Sequence, residues 1–482
     1  MFGRPATVLD RLAVADLQVD LDQFGRHLIL STSTIKFGHP LLGCLVLSGL
    51  LFGLWTPAAH AQFQQRQVGG VSIDADGVLK NLNVDQQLAV RREQELALGA
   101  VPGDLAAPTE LRKISLRQLE AAIVEHRKQG TPLPDEIRYL AGLQRIRYVF
   151  VVPEQQDIIL AGPAEGWRVD NLGEVVGTKS GQPVMLLDDL LVALRTVDNA
   201  HQGGISCSID PTNDGLQRIR ILAGQLATIG NPDETIANLE QTLGPQIISV
   251  TGVPASSHFA RVMVAADYKM KRLAMGFDPT PIKAMPSFLS MVKAGPRGMN
   301  NMMPRWWLAP NYSGVLASPD GMAYELKGAG VKCVAEEDFL KADGSKERGA
   351  KPNAVSKKWA DSMTDHYDQL AAKESIFGEL RNCIDMAVVA ALMTKEHLTE
   401  KAGHSFPEFL NAKDLPIQQF HAPKHVNSIA SLMRKGSNWV ITVSGGVQID
   451  SWTPVMKPET SEKLATVRAA QTAAPGKVWW WN

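Results

Sequence analysis

The strongest helical pattern in the chain lies near its middle, between Ser256 and Gly276. Ser256 or Ser257 can accept a backbone N–H at its start, and Gly276 can adopt the left-handed conformation that ends a helix. The β-branched run Gln246–Thr251 before it indicates a strand. The segment is therefore predicted to be a strand, a turn and a core-packing helix. The apolar residues that share one face of this helix are Phe259, Val262, Met263, Ala266, Met270, Leu273 and Ala274.

Three charged residues of this helix form a candidate polar site. Arg261 and Lys271 fall off the apolar stripe. Asp267 lies beside the stripe, four residues before Lys271, where an i,i+4 ion pair can form. Two interpretations stay open: a core helix with a solvated basic face, or a polar site at the edge of the core made by Arg261, Asp267 and Lys271.

The segment Val253–Arg272 resembles a bacterial exported family known as domain of unknown function 1598. The spacing of its arginine, aspartate and lysine is the most specific part of the resemblance. The similarity extends from the segment Gly69–Asp74 to about Trp452, which is nearly all of the chain after the N-terminal extension. The resemblance implies no activity, because the family carries no assigned reaction, cofactor or catalytic residue to place on these positions.

The N-terminus predicts export. Leu41–Trp55 is almost wholly apolar, follows Lys36, and precedes the small-residue tripeptide Ala59–Ala61. A positive flank, a short apolar core and an A-x-A site are typical of a secretory signal peptide. The apolar run is too short for a comfortable membrane span. We therefore expect cleavage after Ala61 and an exported protein, periplasmic or extracellular, although the long segment before Lys36 leaves the true start codon open.

The charge balance argues against nucleic acid as a partner. The chain has 49 Lys and Arg against 50 Asp and Glu, mixed along its length, whereas a nucleic-acid surface needs clustered basic residues. It has no Walker A or G-x-G-x-x-G motif, so no nucleotide cofactor, nor any other cofactor, is predicted. The expected partner is an envelope or extracellular protein or polymer. Membrane contact is expected only through the signal peptide, with Trp479–Trp481 as a second candidate.

Three cysteines remain once Cys44 has left with the signal peptide. Cys207 and Cys333 both lie in strand-like runs, which makes them a candidate disulfide in an oxidising compartment. The alternative is that these two and Cys383 are small buried hydrophobic residues. No C-x-x-C motif occurs, so neither a zinc ribbon nor a thioredoxin motif is supported.

Catalytic and metal motifs have little support. Ser256, His258 and Asp267 suggest a hydrolase, but helical spacing places His258 and Asp267 on different faces. The sequence also lacks a G-x-S-x-G elbow. His421 and His425 are four residues apart with a proline between them, and no H-E-x-x-H motif occurs, so no metal site is predicted.

The pair Trp306 and Trp307 is the candidate partner-binding site. Tryptophan often anchors partners from exposed positions, and a polymer could stack on these rings. The alternative is that the two rings anchor a loop to the core.

The predicted fold class is α+β, with antiparallel hairpins packed against helices and an added helical insertion. The predicted segments are an N-terminal extension and signal peptide (1–61), an N-terminal hairpin and helical segment (62–146), a central α+β domain (147–353), a helical insertion (354–403), a C-terminal helix and hairpin that complete the body (404–453), and a disordered tail (454–482).

The leading functional hypothesis is a non-catalytic binding or scaffold protein of the cell envelope. The alternative is an exported hydrolase whose active site the sequence does not reveal. A cleft that joins Arg261, Asp267 and a histidine would favour the enzyme. A large exposed apolar or aromatic patch without such a cleft would favour the binding protein.

Overall fold

The computed structural model describes residues 67–225, 231–292, 302–340, 346–348, 354–429, 443–472 and 480–481. All of them belong to the second of two units into which the chain divides, Gln62–Asn482. The predicted signal peptide and Trp479 lie outside the described residues.

The described helices cover most of the length between the strands. In chain order they are α1 Val84–Ala97, α2 Leu116–Gln129, α3 Asp135–Arg138, α4 Leu187–Gly203, α5 Asn213–Gln225, α6 Pro232–Leu243, α7 His258–Met275, α8 Phe288–Met291, α9 Ala354–Asp365, α10 Tyr367–Lys373, α11 Ser375–Lys395, α12 Leu398–Ala402, α13 Pro407–Leu410 and α14 Glu462–Thr472, with short 3-10 turns at Leu140–Gly142, Pro153–Gln155 and Thr453–Val455.

The described strands are mostly short. In chain order they are β1 Val71–Ile73, β2 Val78–Asn81, β3 Thr109–Ser115, β4 Tyr148–Val152, β5 Asp157–Ala164, β6 Trp167–Val169, β7 Val175–Gly177, β8 Ile205–Pro211, β9 Gln246–Thr251, β10 Met302–Asn311, β11 Gly314–Ala317, β12 Ala323–Lys327, β13 Gly330–Leu340, β14 Lys346–Arg348, β15 His425–Val426, β16 Ser444–Ile449 and β17 Glu459–Thr460.

Two mixed sheets and one small hairpin organise these strands, which confirms the α+β class. The larger sheet has the order β1-β2-β15-β9-β8-β16-β10-β13-β14, and the smaller has the order β17-β11-β12-β4-β5-β3. Most neighbours are antiparallel, but β2–β15, β10–β16 and β11–β17 are parallel. Strands from the predicted N-terminal, central and C-terminal segments therefore lie side by side in one sheet.

Helix α7 forms where its apolar stripe predicts it. The Ser257 side chain accepts a hydrogen bond from the Ala260 N–H, and Gly276 ends the helix in the left-handed region at φ 70°. The helix is buried on nearly all sides, so the solvated basic face of one interpretation does not exist. It packs against β8 and β16 of the larger sheet.

Helix α11 lies at the centre of the protein, although it falls in the predicted helical insertion. All residues from Ser375 to Met393 are buried, and the helix contacts α4 and α7. A helix with no solvent-exposed face over these residues lies in the core, and its polar side chains there are buried with it. The helices from 354 to 402 are therefore part of the main body.

The tail contains structure where disorder was predicted. In its described part, α14 packs Leu464 against Phe150, and Arg468 Nε donates to the Val151 carbonyl at 3.0 Å. Trp480 is also buried, and its carbonyl accepts from the Ser115 N–H at 2.9 Å. These contacts come from distant parts of the chain, so the local composition of the tail could not reveal them. None of the helices in the described part of the chain has the length and apolar character needed to cross a membrane.

Candidate functional site

A cleft of about 390 Å³ opens between the start of α4, the start of α7, helix α11 and the turn between β6 and β7. Its wall is apolar over about half of its area, and its floor carries carboxylates and one histidine. The lining residues are Gln67, Val68, Gln94, Pro132, Leu133, Arg138, Tyr139, Gly173, Glu174, Val175, Val184, Leu186, Leu187, Asp188, His258, Glu379, Pro416, Gln418 and Phe420. A cleft that combines apolar side chains with convergent polar groups is typical of small-molecule sites, although this one is more polar than most.

His258 is held in place from two sides. It is the first residue of α7, and its Nδ1 lies 2.8 Å from Asp189 Oδ2 on α4. Its Nε2 lies 3.8 Å from Glu379 Oε2 on α11. Burial alone would lower the pKa of His258, but the charges of Asp189, Glu174 and Asp188 raise it above its usual value. The ring is therefore oriented, and its positive charge is favoured by its surroundings.

Glu379 is the unusual group of the cleft. The residue is 7% exposed, and neither of its carboxylate oxygens has a hydrogen-bond partner among the described residues. Burial, with the charges of Asp170 and Asp189, raises the pKa of Glu379 to about 8. A buried carboxyl group without hydrogen bonds is costly to the fold, so this position needs an explanation beyond packing.

Glu174 approaches the same floor from the turn between β6 and β7. The Asp170 carboxylate accepts from the N–H groups of Leu172 at 2.7 Å and of Glu174 at 2.9 Å, which closes this turn. Glu174 Oε1 accepts from the Gly69 N–H at 2.8 Å. Burial and the nearby charges of Glu379 and Asp170 raise the pKa of Glu174 well above its usual value.

Asp188 adds a third carboxylate to the cleft. Its Oδ2 accepts from the Gln418 N–H at 2.8 Å, and burial raises its pKa. Among the described residues, no group of three or more His, Cys, Asp or Glu is placed to hold a metal ion. The floor thus contains three carboxyl groups with raised pKa values, Glu174, Asp188 and Glu379, close to His258.

The predicted polar site does not line this cleft. Asp267 and Lys271 do pair, with Lys271 Nζ 2.9 Å from Asp267 Oδ2. Lys271 Nζ also donates to the carbonyls of Ile209 at 2.7 Å and Gly445 at 3.2 Å, so it links β8 to β16 beneath the helix. Both side chains are buried, and burial raises the pKa of Asp267 to about 7 against the opposing effect of Lys271. The pair contributes to the core.

Arg261 lies on another side of α7. Its guanidinium lies 4.8 Å from the ring centroid of Phe420 and donates to the Ile73 carbonyl at 3.4 Å. Phe420 lines the cleft, so Arg261 supports that wall from behind. The three charged residues therefore lie in two separate places, because Arg261 and Asp267 are six positions apart and point to different faces of the helix.

The predicted partner-binding tryptophans are largely inside the protein. Trp306 is 0% exposed, and its Nε1 donates to the Ser356 carbonyl at 3.2 Å. Trp307 is partly exposed, and its Nε1 donates to Glu336 Oε2 at 2.9 Å. Consecutive strand residues point to opposite faces of a sheet, which explains why the two differ. Trp306 cannot anchor a partner, and the core alternative applies to it.

The candidate disulfide does not form. Cys207, Cys333 and Cys383 are free and buried. Cys207 pairs with Val447, Val447 with Leu308, and Leu308 with Cys333. Three strand spacings of about 4.8 Å put roughly 14 Å between the two Cα atoms, beyond the reach of a disulfide.

Asp189, Glu174 and Glu379 were not among the site residues predicted from the sequence. One signal for Glu379 was available, because it lies in a long helix rich in apolar residues, and a glutamate is rarely buried unless it is paired or functional. The pairing of His258 with Asp189 joins residues 69 positions apart, and no local pattern reports it.

Comparison with known proteins gives one finding. No curated protein and no solved structure matches the chain significantly. Residues 207–288 match the model of a family described as a protein of unknown function, DUF1598. This is narrower than the predicted span of about 69–452. It contains α7 with His258 and the pair Asp267–Lys271, while Glu174, Asp189 and Glu379 lie outside it. The chain is thus similar, over residues 207–288, to the DUF1598 family of unknown function.

Proposed function

We propose that the protein is a non-catalytic binding protein of the cell envelope and that its ligand occupies the cleft beside His258. The observation that carries this proposal is Glu379, a buried carboxylate in the cleft without a hydrogen bond among the described residues. A fold that keeps such a group in an open cleft bears an energetic cost that a bound ligand would remove.

The composition of the cleft supports binding over covalent catalysis. None of the described residues that line it is a serine, threonine or cysteine. Cys383, the cysteine nearest to these charges, is fully buried, and burial with Asp189 and Glu379 raises its thiol pKa well above the usual value. A thiol in that state is a poor nucleophile. His258 Nε2 faces the Glu379 carboxyl group where a catalytic histidine would face a nucleophile.

Binding in the cleft is tested by a thermal-shift screen with a defined library of small polar and amphiphilic metabolites. Leu133→Trp fills the rim of the cleft, where Leu133 is partly exposed. Ile221→Trp is the matched control, because Ile221 is 63% exposed on α5. Ligands should raise the Tm of the wild type and of Ile221→Trp, and lose this effect in Leu133→Trp. Equal shifts in all three proteins would place the ligand elsewhere.

The location in the envelope rests on the sequence of the N-terminus. The apolar run Leu41–Trp55 and the tripeptide Ala59–Ala61 support a cleaved signal peptide. The intact mass of the native protein after cell fractionation checks this. We expect a soluble exported species that begins at Gln62. A full-length cytoplasmic species would contradict the envelope location while leaving the cleft untouched.

A hydrolase is the second candidate, and the contact of His258 with Asp189 favours it. A histidine oriented by a carboxylate, with a Glu379 carboxyl group of raised pKa nearby, is an arrangement suited to general acid–base catalysis of water attack. Turnover of any library compound by the wild type, abolished in His258→Gln, would establish this candidate. Stable binding without turnover would support the binding protein.

A further inference from the structure

We propose that the ligand of this cleft carries a cationic group, an alkylammonium or a guanidinium, which Glu379 and Glu174 bind, on an apolar body that packs against the cleft wall. This inference rests on the proposed function, because it names the chemical class of ligand for the same cleft. The observations that carry it are the geometry of the floor and the balance of charge around it.

The unsatisfied groups of the floor are hydrogen-bond acceptors once ionised. Both oxygens of Glu379 lack a hydrogen bond among the described residues. Glu174 also lines the cleft, and its Oε1 receives the Gly69 N–H. A ligand that supplies N–H donors satisfies these oxygens, and a charged donor forms the stronger, charge-assisted bond. An anionic ligand would meet like charges instead.

The titratable groups around Glu379 are predominantly acidic. Arg138, the arginine on the cleft rim, already pairs with Asp135 at 3.1 Å. His258 supplies one positive charge against several carboxyl groups. The titratable groups that face this part of the cleft are Asp170 and Glu174 from the turn between β6 and β7, Asp188 and Asp189 from α4, His258 from α7, Cys383 from α11 and Arg138 from α3.

The remainder of the cleft suits an apolar body. Val68, Leu133, Val175, Leu186 and Phe420 contribute side chains to its wall. A ligand with a cationic head and a short hydrocarbon or aromatic body would place the head on the floor and bury the body against this wall.

A bound cation should displace protons from the floor. The empty cleft favours protonated carboxyl groups, and a cation favours ionised ones. Affinity for a cation should therefore increase from pH 6 to pH 8, with release of protons into the buffer. An alkylamine, with a pKa near that of lysine at about 10.4, stays charged over this range. Loss of the proton from His258 acts in the same direction, so the Glu379 contribution must be isolated by substitution.

The test is isothermal titration calorimetry with three probes of similar shape: hexylamine, 1-hexanol and hexanoate. We expect hexylamine to bind the wild type at least about tenfold more tightly than the other two. Titrations in buffers of different ionisation enthalpy should report proton release for hexylamine only. Glu379→Gln should reduce the affinity for hexylamine about tenfold, flatten its pH dependence and leave 1-hexanol binding unchanged. Glu174→Gln provides a second variant, since its amide oxygen can still accept from Gly69.

Glu154→Gln is the matched control, because the Glu154 side chain is 76% exposed outside the cleft. It should bind hexylamine as the wild type does. Tighter binding of 1-hexanol or hexanoate would overturn the cationic class while leaving the cleft as a ligand site. If no probe binds, the cationic class is overturned. If the library screen also finds no compound sensitive to Leu133→Trp, the proposed function fails with it.

Discussion

At the scale of single residues, Glu379 makes the stability of the protein depend on pH. The pKa of Glu379 is raised to about 8 in the folded state, against about 4.3 for an unperturbed glutamate. The folded state therefore binds more protons than the unfolded state between these values. Its contribution is most favourable below pH 4 and is lost as the pH rises through 8.

Glu379→Gln should remove this loss of stability at high pH, because glutamine does not ionise. We expect the variant to be more stable than the wild type by roughly 1–3 kcal/mol at pH 8.5, with little difference at pH 4.5. Urea unfolding of both proteins across this range measures the effect. Glu154→Gln, at an exposed position, should follow the wild-type profile. A Glu379→Gln protein that is less stable than the wild type at pH 8.5 would mean that the folded protein stabilises the ionised carboxylate, contrary to the raised pKa of Glu379.

Lys271 and Asp267 give a second prediction at this scale. Lys271→Met removes the ammonium that holds a buried carboxylate and two carbonyls, which should cost about 3–5 kcal/mol at pH 8. The loss should be smaller at pH 6. Without Lys271 the pKa of Asp267 rises further above 7, so the lone carboxyl group can then be neutral.

The double variant Asp267→Leu with Lys271→Met is the control for this pair. Because it leaves no buried charge behind, it should be closer to the wild type than Lys271→Met alone. Denaturant unfolding of the three proteins at both pH values provides the comparison. A double variant as unstable as the single one would show that the links from Lys271 to β8 and β16 dominate.

Single residues also show what the sequence could reveal about the site. The Asp267–Lys271 pair follows from i,i+4 spacing and was predicted, although its role in the core was open. His258 was considered with Asp267, and its true partner is Asp189 from another helix. A local pattern fixes neighbours on one helix, whereas the cleft depends on how α4, α7 and α11 pack together.

At the scale of elements, strand β16 passes too close to its neighbours for a side chain at Gly445. An added Cβ would lie 1.8 Å from the Trp306 carbonyl oxygen, and Gly445 has φ 122°. Gly445→Ala should therefore destabilise the protein by roughly 3 kcal/mol or more. Gly403→Ala is the control, because φ is 75° but no atom lies within 4 Å of its Cβ, and it should cost about 1 kcal/mol.

Thermal unfolding of these two variants separates a steric clash from backbone strain. If the Gly445→Ala protein has the same Tm as the Gly403→Ala protein, β16 can move away from β10. In that case the close pairing of Trp306 with Gly445 would contribute little to the fold.

The elements differ in how far the sequence predicted them. Helix α7 has a clear stripe, a serine cap and a terminal glycine, so its bounds were predictable. Helix α11 is buried on all sides, and its polar residues do not form a solvent-facing stripe that would orient it. Its existence was predicted, but its central position was not. In the segment 404–453, predicted to hold a helix and a hairpin, His425 and Val426 form strand β15 between β2 and β9. Residues 430–442 lie outside the described residues.

At the scale of the whole molecule, distant segments complete shared structures. β2, β15 and β9 are adjacent in the larger sheet although they come from the N-terminal, C-terminal and central segments. The cleft likewise takes Gln67, Glu174, His258, Glu379 and Phe420 from five parts of the chain. Pairings of this kind are set by tertiary packing, so the sequence predicted the fold class but could not locate the cleft.

Hydrogen–deuterium exchange with the strongest ligand from the library screen tests most directly whether the cleft is the binding site. We expect slower exchange in the ligand complex over the turn 170–174, the start of α7, the first turns of α11 and the segment 416–420, which all contribute residues to the cleft. Protection confined to the strands around Trp307, with these four segments unchanged, would show that the ligand does not bind in the cleft.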